Sequence, residues 1–558
     1  LASVLFAIRY ADMAEDSFHQ ELLAEGERIL KQVTEENRYA VIPASRPYQN
    51  DPLVNHNLPE MFTSLGIPVL TADAVPGVND VDLTNSRLDV VNNYHARMLG
   101  SAVIAAENPH LEYVQIVSFG CGHDAYLSDE IIRLMKQGSG KIPLVLKLDE
   151  SEIQGPLRIR VRSFIETVRM QREKHEEAPV HALTDPYPVK YEKKDRKERI
   201  VLIPNTSHAF CRVMSAAMER QGLRAEPLPI GRDEAIRLGK KYVHNDICFP
   251  AQIVIGEALA ALKSGKYDGK DVAIATGKYI GDCRLTHYSA LLRKALDDAG
   301  FSDVPILTND DADFHNLHPG FRLNLLSALR IAYALPMIDI LEELLRKIRP
   351  YELTKGNADA AFEQAMDAVI DGLSRHGVNG AKHGFEIIEA RMSDVIQKSY
   401  FYRDMQVREY HLHKPLQEKL WYRMADLFFD LAHDAADKIA SAHPLYDRPA
   451  VRLPELVKES DPIIHHTFDA GEGVLIPGEI LHHAAHGCRA FVILQPFGCL
   501  PNHVVGRGIS KRLKELYPDI QILPLDYDPD VSFANIENRL QMLIMNAREQ
   551  EAEKDKTK

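Results

Sequence analysis

Short apolar runs that alternate with amphipathic helical segments constrain the fold of this chain more than any other feature. Most of these runs lead into a turn rich in Gly, Pro or Cys, and a helical pattern follows. Parallel strands need a long, usually helical crossover between them, so this order predicts an α/β fold with parallel sheets. The runs are Tyr39–Ile42, Pro68–Leu70, Tyr113–Val117, Pro143–Leu148, Ile200–Pro204, Asp271–Thr276, Val304–Thr308, Ala490–Gln495 and Ile520–Leu525.

The 558 residues exceed what one hydrophobic core organises, so several domains are expected. A proline-marked, strongly charged linker at 186–199 suggests one boundary, and long amphipathic helices replace the strand pattern after about 321. The predicted division is a helical segment at 1–37, an α/β subdomain at 38–190, a second at 196–320, a helical region at 321–460, a C-terminal α/β subdomain at 461–547 and a charged tail at 548–558.

Charge and hydropathy exclude several classes of protein. The formal net charge of −14 argues against a general nucleic-acid binder, which needs a basic face. No run approaches the ~18 apolar residues of a membrane helix, and the apolar start lacks the basic residues of a signal peptide.

Six cysteines are too few for a disulfide scaffold in a chain of this length, so we expect a cytoplasmic protein. Because the chain enters a helical pattern at Leu1 without a Met, it reads as the C-terminal part of a longer polypeptide.

Four cysteines occupy positions where α/β proteins hold ligands. Cys121, Cys283 and Cys499 each follow a predicted strand, and Cys248 stands just before a predicted helix that has Pro250 in its first turn. Thiolates are the usual ligands of iron–sulfur clusters, and neighbouring glycines let the backbone approach the sulfides. There is no CxxC pair. Spacing alone therefore leaves both a metal ligand and a buried core residue open at each position.

The other two cysteines have different surroundings. Cys211 lies on an amphipathic helix with Met214, which favours a core position. Cys488 ends a helix close to three histidines. Two of these share a helix face, as zinc ligands do, but no second ligand pair follows, so packed or solvated side chains are favoured. These histidines are His482, His483 and His486.

Acid–base candidates lie beside the same loops. His123 and His503 adjoin candidate cysteine ligands, and Asp149 and Glu150 end a predicted strand. Each is equally well explained as a polar loop residue or as a charge at a helix start. The chain contains no GxxxxGK[ST] phosphate loop, no GxGxxG after a strand, no GxSxG elbow and no HExxH helix.

Several motifs together resemble one family. SRPYQNDPLVNHNLPE, SFGCGHDA, HNDICFPAQ, IGDCRLTHY, PFGCLPNHVVGRG and DYDPDVSFANIENR are similar to the large family related to the activators and D-components of 2-hydroxyacyl-CoA dehydratases and to double-cubane cluster proteins. The resemblance implies Rossmann-like parallel-sheet subdomains with an inserted helical region. It also implies a [4Fe-4S] or double-cubane-type cluster, with Cys121, Cys248, Cys283 and Cys499 as its ligands.

The resemblance implies a function as well. An ATP-dependent activase with an actin-like fold, acting in trans or from a missing N-terminal part, would supply a low-potential electron. ATP would act only through that activase. The electron would serve reduction or radical dehydration of a small molecule such as an acyl-CoA thioester, which is lyase or oxidoreductase chemistry. The protein could also form a homodimer. Two alternative functions fit the same cysteines: a relay or assembly module that holds a cluster without substrate chemistry, and a zinc or structural module.

Overall fold

The computed structural model of this protein describes residues 2–90, 92–118, 120–149, 151, 154–174, 179–229, 231, 233–279, 283–309, 315–375, 392–441 and 451–557. The chain divides into two compact units. Unit 1 comprises Leu1–Pro188 with His244–Ile247, and unit 2 comprises Val189–Val243 with Cys248–Lys558.

Unit 1 is built on a three-stranded parallel sheet of order β1-β2-β3. Ala40 pairs with Leu111, and Val114 pairs with Leu144. The central strand is buried from Leu111 to Val117, as expected of a parallel strand covered on both faces, and it buries the polar side chains of Glu112 and Gln115 together with its apolar ones. The elements are α1 (Ala2–Glu35), β1 (Ala40–Ala44), α2 (Leu58–Thr63), α3 (Asn93–Glu107), β2 (Leu111–Ser118), α4 (Gly122–Ser139), β3 (Leu144–Leu148) and α5 (Gln154–Glu173).

Unit 2 begins with a four-stranded parallel sheet of order β5-β4-β6-β7. The strand order reverses between β4 and β6, so the carboxyl ends of these two strands form the kind of crevice where open α/β sheets bind ligands. Its elements are α6 (Asp195–Glu198), β4 (Ile200–Ile203), α7 (His208–Arg220), β5 (Arg224–Pro227), α8 (Asp233–Tyr242), α9 (Phe249–Lys263), β6 (Val272–Ala275), α10 (Tyr288–Asp298) and β7 (Ile306–Leu307).

A helical region follows in the same unit. Its first helix starts where the Asn324 side chain accepts a hydrogen bond from the Ser327 N–H at 2.9 Å, a helix-capping contact. Leu335 of this helix shares an apolar core with Met366 and Phe429 of later helices. The region contains α11 (Leu325–Ile348), α12 (Asn357–Arg375), α13 (Met392–Glu409), α14 (Leu416–Ala440) and α15 (Leu453–Glu459).

The chain then returns to α/β structure with a parallel pair of strands in which Ala490 is opposite Gln521. The elements are α16 (Leu475–Ala485), β8 (Ala490–Pro496), α17 (Ser510–Leu516), β9 (Gln521–Tyr527) and α18 (Phe533–Thr557). No helix in the described ranges is long and apolar enough to cross a membrane.

The prediction of an α/β fold with parallel sheets is confirmed. Two details differ from the sequence pattern. The run Pro68–Leu70 makes only a single bridge, between Val69 and Val41. Strand β5 carries the sequence RAEP, which is too short and polar to stand out as an apolar run.

Candidate cysteine site

Three of the four candidate cysteines lie in unit 2, each at the start of a turn or helix. Cys248 is the N-cap of α9, with Pro250 in the first helical turn. Cys283 follows β6 and precedes the 3-10 turn Arg284–His287. Cys499 follows β8 directly, just after Gly498, whose φ of 68° places it in the left-handed region that favours glycine.

Backbone contacts bring these three chain segments together. The Phe249 N–H, at the start of α9, donates to the Phe497 carbonyl at 2.9 Å. The Arg284 guanidinium donates to the carbonyl of Gly498. A Cβ on Gly471 would stand 3.8 Å from the Cys283 Cβ, so a fourth segment also closes on this cysteine. Residues distant in sequence thus form one neighbourhood.

The three thiols influence one another electrostatically. Burial raises the pKa of Cys283 to about 12, and the negative charges of Glu472, Cys248 and Cys499 add to that rise. Burial likewise raises the pKa of Cys499 to about 12, with contributions from Glu472 and Cys248. Both side chains are therefore neutral thiols at neutral pH, and forming their thiolates together requires positive charge nearby.

Polar side chains surround the thiols. The Tyr288 hydroxyl lies 3.4 Å from the Cys248 sulfur, and burial, followed by the charge of that cysteine, raises the pKa of Tyr288 well above its ordinary value. The Asn502 amide donates to the Cys499 sulfur at 3.2 Å and to the Glu472 carboxylate at 2.8 Å. Asn502 therefore orients one thiol and one carboxylate together.

Two cationic side chains are buried in the same region. Lys398 donates to Asp469 at 2.5 Å, and the Tyr279 hydroxyl donates to the same carboxylate at 2.8 Å. Burial lowers the pKa of Lys398, while Asp469, Glu472 and Cys283 act in the opposite direction. Arg284 is 5% exposed, and its Nε has no hydrogen-bond partner among the described residues. These cations supply positive charge beside the thiols.

Within the described ranges, no group of three or more His, Cys, Asp or Glu side chains is arranged to hold a single metal ion. The donors available in unit 2 are three thiols on separate segments, with the Glu472 carboxylate 3.8 Å from the Cys499 sulfur. In donor chemistry this set matches thiolate ligation of iron more closely than a site of oxygen and imidazole ligands. Metal binding here remains a prediction.

The fourth candidate, Cys121, lies in unit 1 as the N-cap of α4. Arg46 contacts it, with 2.6 Å between Nη2 and the sulfur, and also donates to Asp124 at 2.7 Å. Asp124 accepts a further bond from the Ser118 N–H, which holds the turn between β2 and α4. Burial raises the pKa of Asp124 although Arg46 opposes it. Residue type alone does not reveal this role of Arg46; the one sequence signal at this position is the motif SRPYQND.

Two histidines lie near this turn. His95 is 2% exposed, and its ring centroid is 5.8 Å from that of His123. Burial, then the charges of His123 and Arg46, lowers the pKa of His95 to about 3, so its imidazole is neutral at neutral pH. His123 Nδ1 shares a hydrogen bond of 2.6 Å with the Tyr126 hydroxyl.

The structure does not bring the remaining acid–base candidates, Asp149 and His503, together into one site. Asp149 is exposed and accepts hydrogen bonds from Ser151. Glu150 lies outside the described residues. His503 is half-buried on a π-helical turn, where its N–H donates to the Cys499 carbonyl at 3.0 Å. Acid–base roles for these side chains remain predictions.

The two cysteines set aside by the sequence reasoning have ordinary environments. Cys211 is 1% exposed and packs in the core around β4 and β6, whereas Cys488 is exposed. His482 Nδ1 lies 3.1 Å from the Glu459 carboxylate, and His486 Nδ1 hydrogen-bonds the His482 carbonyl at 2.8 Å.

A family model matches the start of unit 1. Residues 2–75 match the family model of the CoA enzyme activase uncharacterised domain (DUF2229). This stretch of unit 1 covers α1, β1, α2 and Arg46. No curated protein matches the chain, and no solved structure matches it. The match shows a CoA enzyme activase-related domain in this stretch and leaves the reaction open.

Proposed function

We propose that unit 2 binds an iron–sulfur cluster through Cys248, Cys283 and Cys499. Through that cluster, the protein accepts electrons from an ATP-dependent activase for reduction or radical dehydration of a small molecule such as a CoA thioester. The observation that carries the proposal is the shared neighbourhood of three cysteines that are far apart in sequence: Cys248 is buried, and Cys283 and Cys499 are half-buried. The activase-related match at residues 2–75 supports the connection to CoA enzymes.

The surroundings of the thiols support the proposal. A bound cluster would supply one-electron chemistry, and its thiolate ligands would add negative charge to a buried site. Lys398 and Arg284 provide positive charge there, and Asn502 donates an N–H to the Cys499 sulfur. Hydrogen bonds to sulfur and nearby charge are among the factors that tune cluster potentials. A cluster also spreads its thiolates over several irons, so its ligands need not meet the geometry of a single ion.

Anaerobic purification with iron, sulfide and zinc analysis and EPR tests the proposal. We expect a brown protein with iron and acid-labile sulfide, and we expect Cys283→Ala and Cys499→Ala to lose most of both. Cys488→Ala, at an exposed cysteine, is the matched control and should keep them. Cys211→Ala tests whether a buried cysteine outside the neighbourhood matters, and it too should retain iron.

Three results would count against the proposal. One is a colourless, iron-free protein from an anaerobic preparation. Another is stoichiometric zinc with no EPR signal after reduction, which would favour the structural module. The third is equal iron in the wild type and in both variants of the unit 2 thiols. Cys121→Ala, measured in parallel, tests the ligand role that the family resemblance gives to Cys121.

Turnover separates an enzyme component from an electron relay. With an activase and ATP supplied, the cluster-loaded protein should convert an acyl-CoA or another small substrate. Reduction of the cluster without any substrate conversion across a panel of 2-hydroxyacyl-CoA thioesters and small reducible molecules would favour the relay.

A further inference from the structure

Helix α14 has apolar side chains on two faces. One face packs into the helical region through Tyr422, Phe429, Ala432, Ala436 and Ala440, all buried. The other face is exposed, and each of its large apolar side chains is at least 47% exposed. We call this second face the α14 seam. It consists of Leu416, Leu420, Trp421, Met424, Leu427 and Leu431.

The α14 seam has the geometry of a helix-pairing surface. Its leucines and Met424 recur at the intervals of three and four residues typical of coiled coils, so they form one line along a 25-residue helix. Single exposed apolar residues are normal on protein surfaces, but a continuous apolar line marks an interaction site. A helix face of this kind fits another amphipathic helix.

We propose that the α14 seam pairs with the α14 seam of a second copy of this chain, with the two helices antiparallel. The charges along one flank of the seam select this occupant and orientation. The flank begins with the basic residues Lys419 and Arg423 and is acidic from the middle of the helix onward, at Asp426, Asp430 and Asp434. Within its own chain, Arg423 donates to Asp404 at 3.0 Å and Asp430 accepts from Gln397 at 3.0 Å, so these surface contacts would be exchanged or shared in the pair. In an antiparallel pair the basic half of each copy faces the acidic half of the other.

The register follows from the same charges. A two-fold axis between Met424 and Leu427 brings Arg423 beside Asp430 of the second copy. It also brings Lys419 beside Asp434 of the second copy. A parallel pair would instead align basic with basic and acidic with acidic. The antiparallel arrangement is also closed, because both copies use the same surface.

The area of the seam is sufficient for a dimer. Six side chains of this size, about half or more exposed, present on the order of 700 Å² of apolar surface per copy. That approaches the ~800 Å² per partner of a standard specific interface. The opposite flank adds Phe428, which packs on Tyr333 of α11 with ring centroids 5.3 Å apart.

Tryptophan fluorescence can report on pairing of the α14 seam. Trp421 is the single tryptophan of the sequence, and it lies at the edge of the α14 seam with 47% of its surface exposed. In the antiparallel pair it packs near Phe428 of the second copy. Its emission should therefore shift to the blue on association, and its quenching by acrylamide should fall.

Sedimentation velocity of the full chain over a wide concentration range tests the proposal. We expect a dimer that dissociates on dilution, together with the Trp421 emission shift. Leu427→Glu should be monomeric at every concentration, with the same far-UV circular dichroism as the wild type. Ile159→Glu, at a 70% exposed position on α5, is the matched control and should still dimerise.

Charge reversal tests the orientation. Lys419→Glu and Asp434→Lys should each weaken the dimer, and the double variant should recover most of the lost affinity. Asp434 also accepts a 2.5 Å hydrogen bond from Arg452 of its own chain, so recovery in the double variant is the informative result.

Four outcomes would overturn the proposal. The first is a wild-type monomer at all concentrations with concentration-independent Trp421 emission, which would mean that another segment or another protein covers the seam. The second is a Leu427→Glu variant that stays dimeric, which would place the dimer contact elsewhere. The third is a wild type and Ile159→Glu variant that both aggregate without a defined dimer. The fourth is a double charge reversal that recovers no affinity, which would exclude the antiparallel register.

Discussion

Glu130 allows the sharpest test of how unit 1 is held together, because one buried carboxylate serves two arginines. It accepts hydrogen bonds from the Arg87 backbone N–H and Nε, each at 2.8 Å, and from Arg133 at 2.6 Å. Its side chain is 2% exposed. Burial raises the pKa of Glu130, but the charges of Arg87 and Arg133 outweigh it and lower the pKa from 4.5 to about 2.

This pKa shift sets the magnitude of the expected effect. A shift of that size corresponds to about 3 kcal/mol of stability at neutral pH. Because the folded-state pKa lies below the unfolded-state value, the contribution is complete above about pH 5 and is lost as the pH falls toward 2. Glu130→Gln should therefore destabilise unit 1 by about 3 kcal/mol at pH 7, since the buried Arg87 and the half-buried Arg133 lose their counter-charge.

Hydrogen–deuterium exchange of α4 measures the effect locally. At pH 7 the amides of Gly122–Ser139 should exchange about a hundredfold faster in Glu130→Gln than in the wild type. At pH 3 the two proteins should differ much less. Glu25→Gln removes the exposed ion pair with Arg28 and should leave exchange in α4 unchanged. Equal exchange of wild type and Glu130→Gln at pH 7 would refute the reasoning.

Three further outcomes follow from unit 2. Gly471→Ala should lower the iron content of the purified protein, since a Cβ there would stand 2.7 Å from a ring carbon of Pro501 beside the cysteine site. Gly265→Ala is the control, because Gly265 also has a positive φ but has open space around it, and this variant should keep the wild-type iron content. Lys398→Met should destabilise the protein by about 2 kcal/mol in thermal unfolding, because Asp469 loses its ion-pair partner, and adding Asp469→Asn should recover much of that loss. In metal-free protein, the rate at which iodoacetamide alkylates Cys283 and Cys499 should rise about tenfold per pH unit from pH 7 to 10, because burial raises the pKa of both thiols to about 12. Mass spectrometry measures this rate at each cysteine. A plateau in that range would contradict the raised pKa values.

Much of the fold could be predicted from periodicity. Eight of the nine apolar runs became strands, namely β1 to β4 and β6 to β9. Strands β1, β2, β4 and β6 are buried almost throughout, as expected of parallel strands covered on both faces. Strand β5 escaped prediction because RAEP is held in the sheet by its pairing with β4 rather than by its own apolar content. Propensity alone carries too little information for so short an edge strand.

The candidate site was predictable only in part. Strand ends and one helix start selected Cys248, Cys283 and Cys499, and the structure places all three at such positions. The helix pattern predicts a core position for Cys211, which is buried; it predicts no particular exposure for Cys488, which is exposed. The sequence pattern does not single out Glu472 or Lys398, because their relevance comes from lying near thiols that are distant in sequence.

What periodicity cannot supply is the docking of the loop that carries Cys499. That loop reaches the other two cysteines through the carbonyls of Phe497 and Gly498, which accept bonds from the start of α9 and from Arg284. A carbonyl is present at every position, so such contacts leave no trace in residue type. The sequence marks only the glycine, whose positive φ turns the chain sharply after β8. The cysteines were therefore recognisable individually, whereas their meeting depends on backbone contacts that only the folded chain reveals.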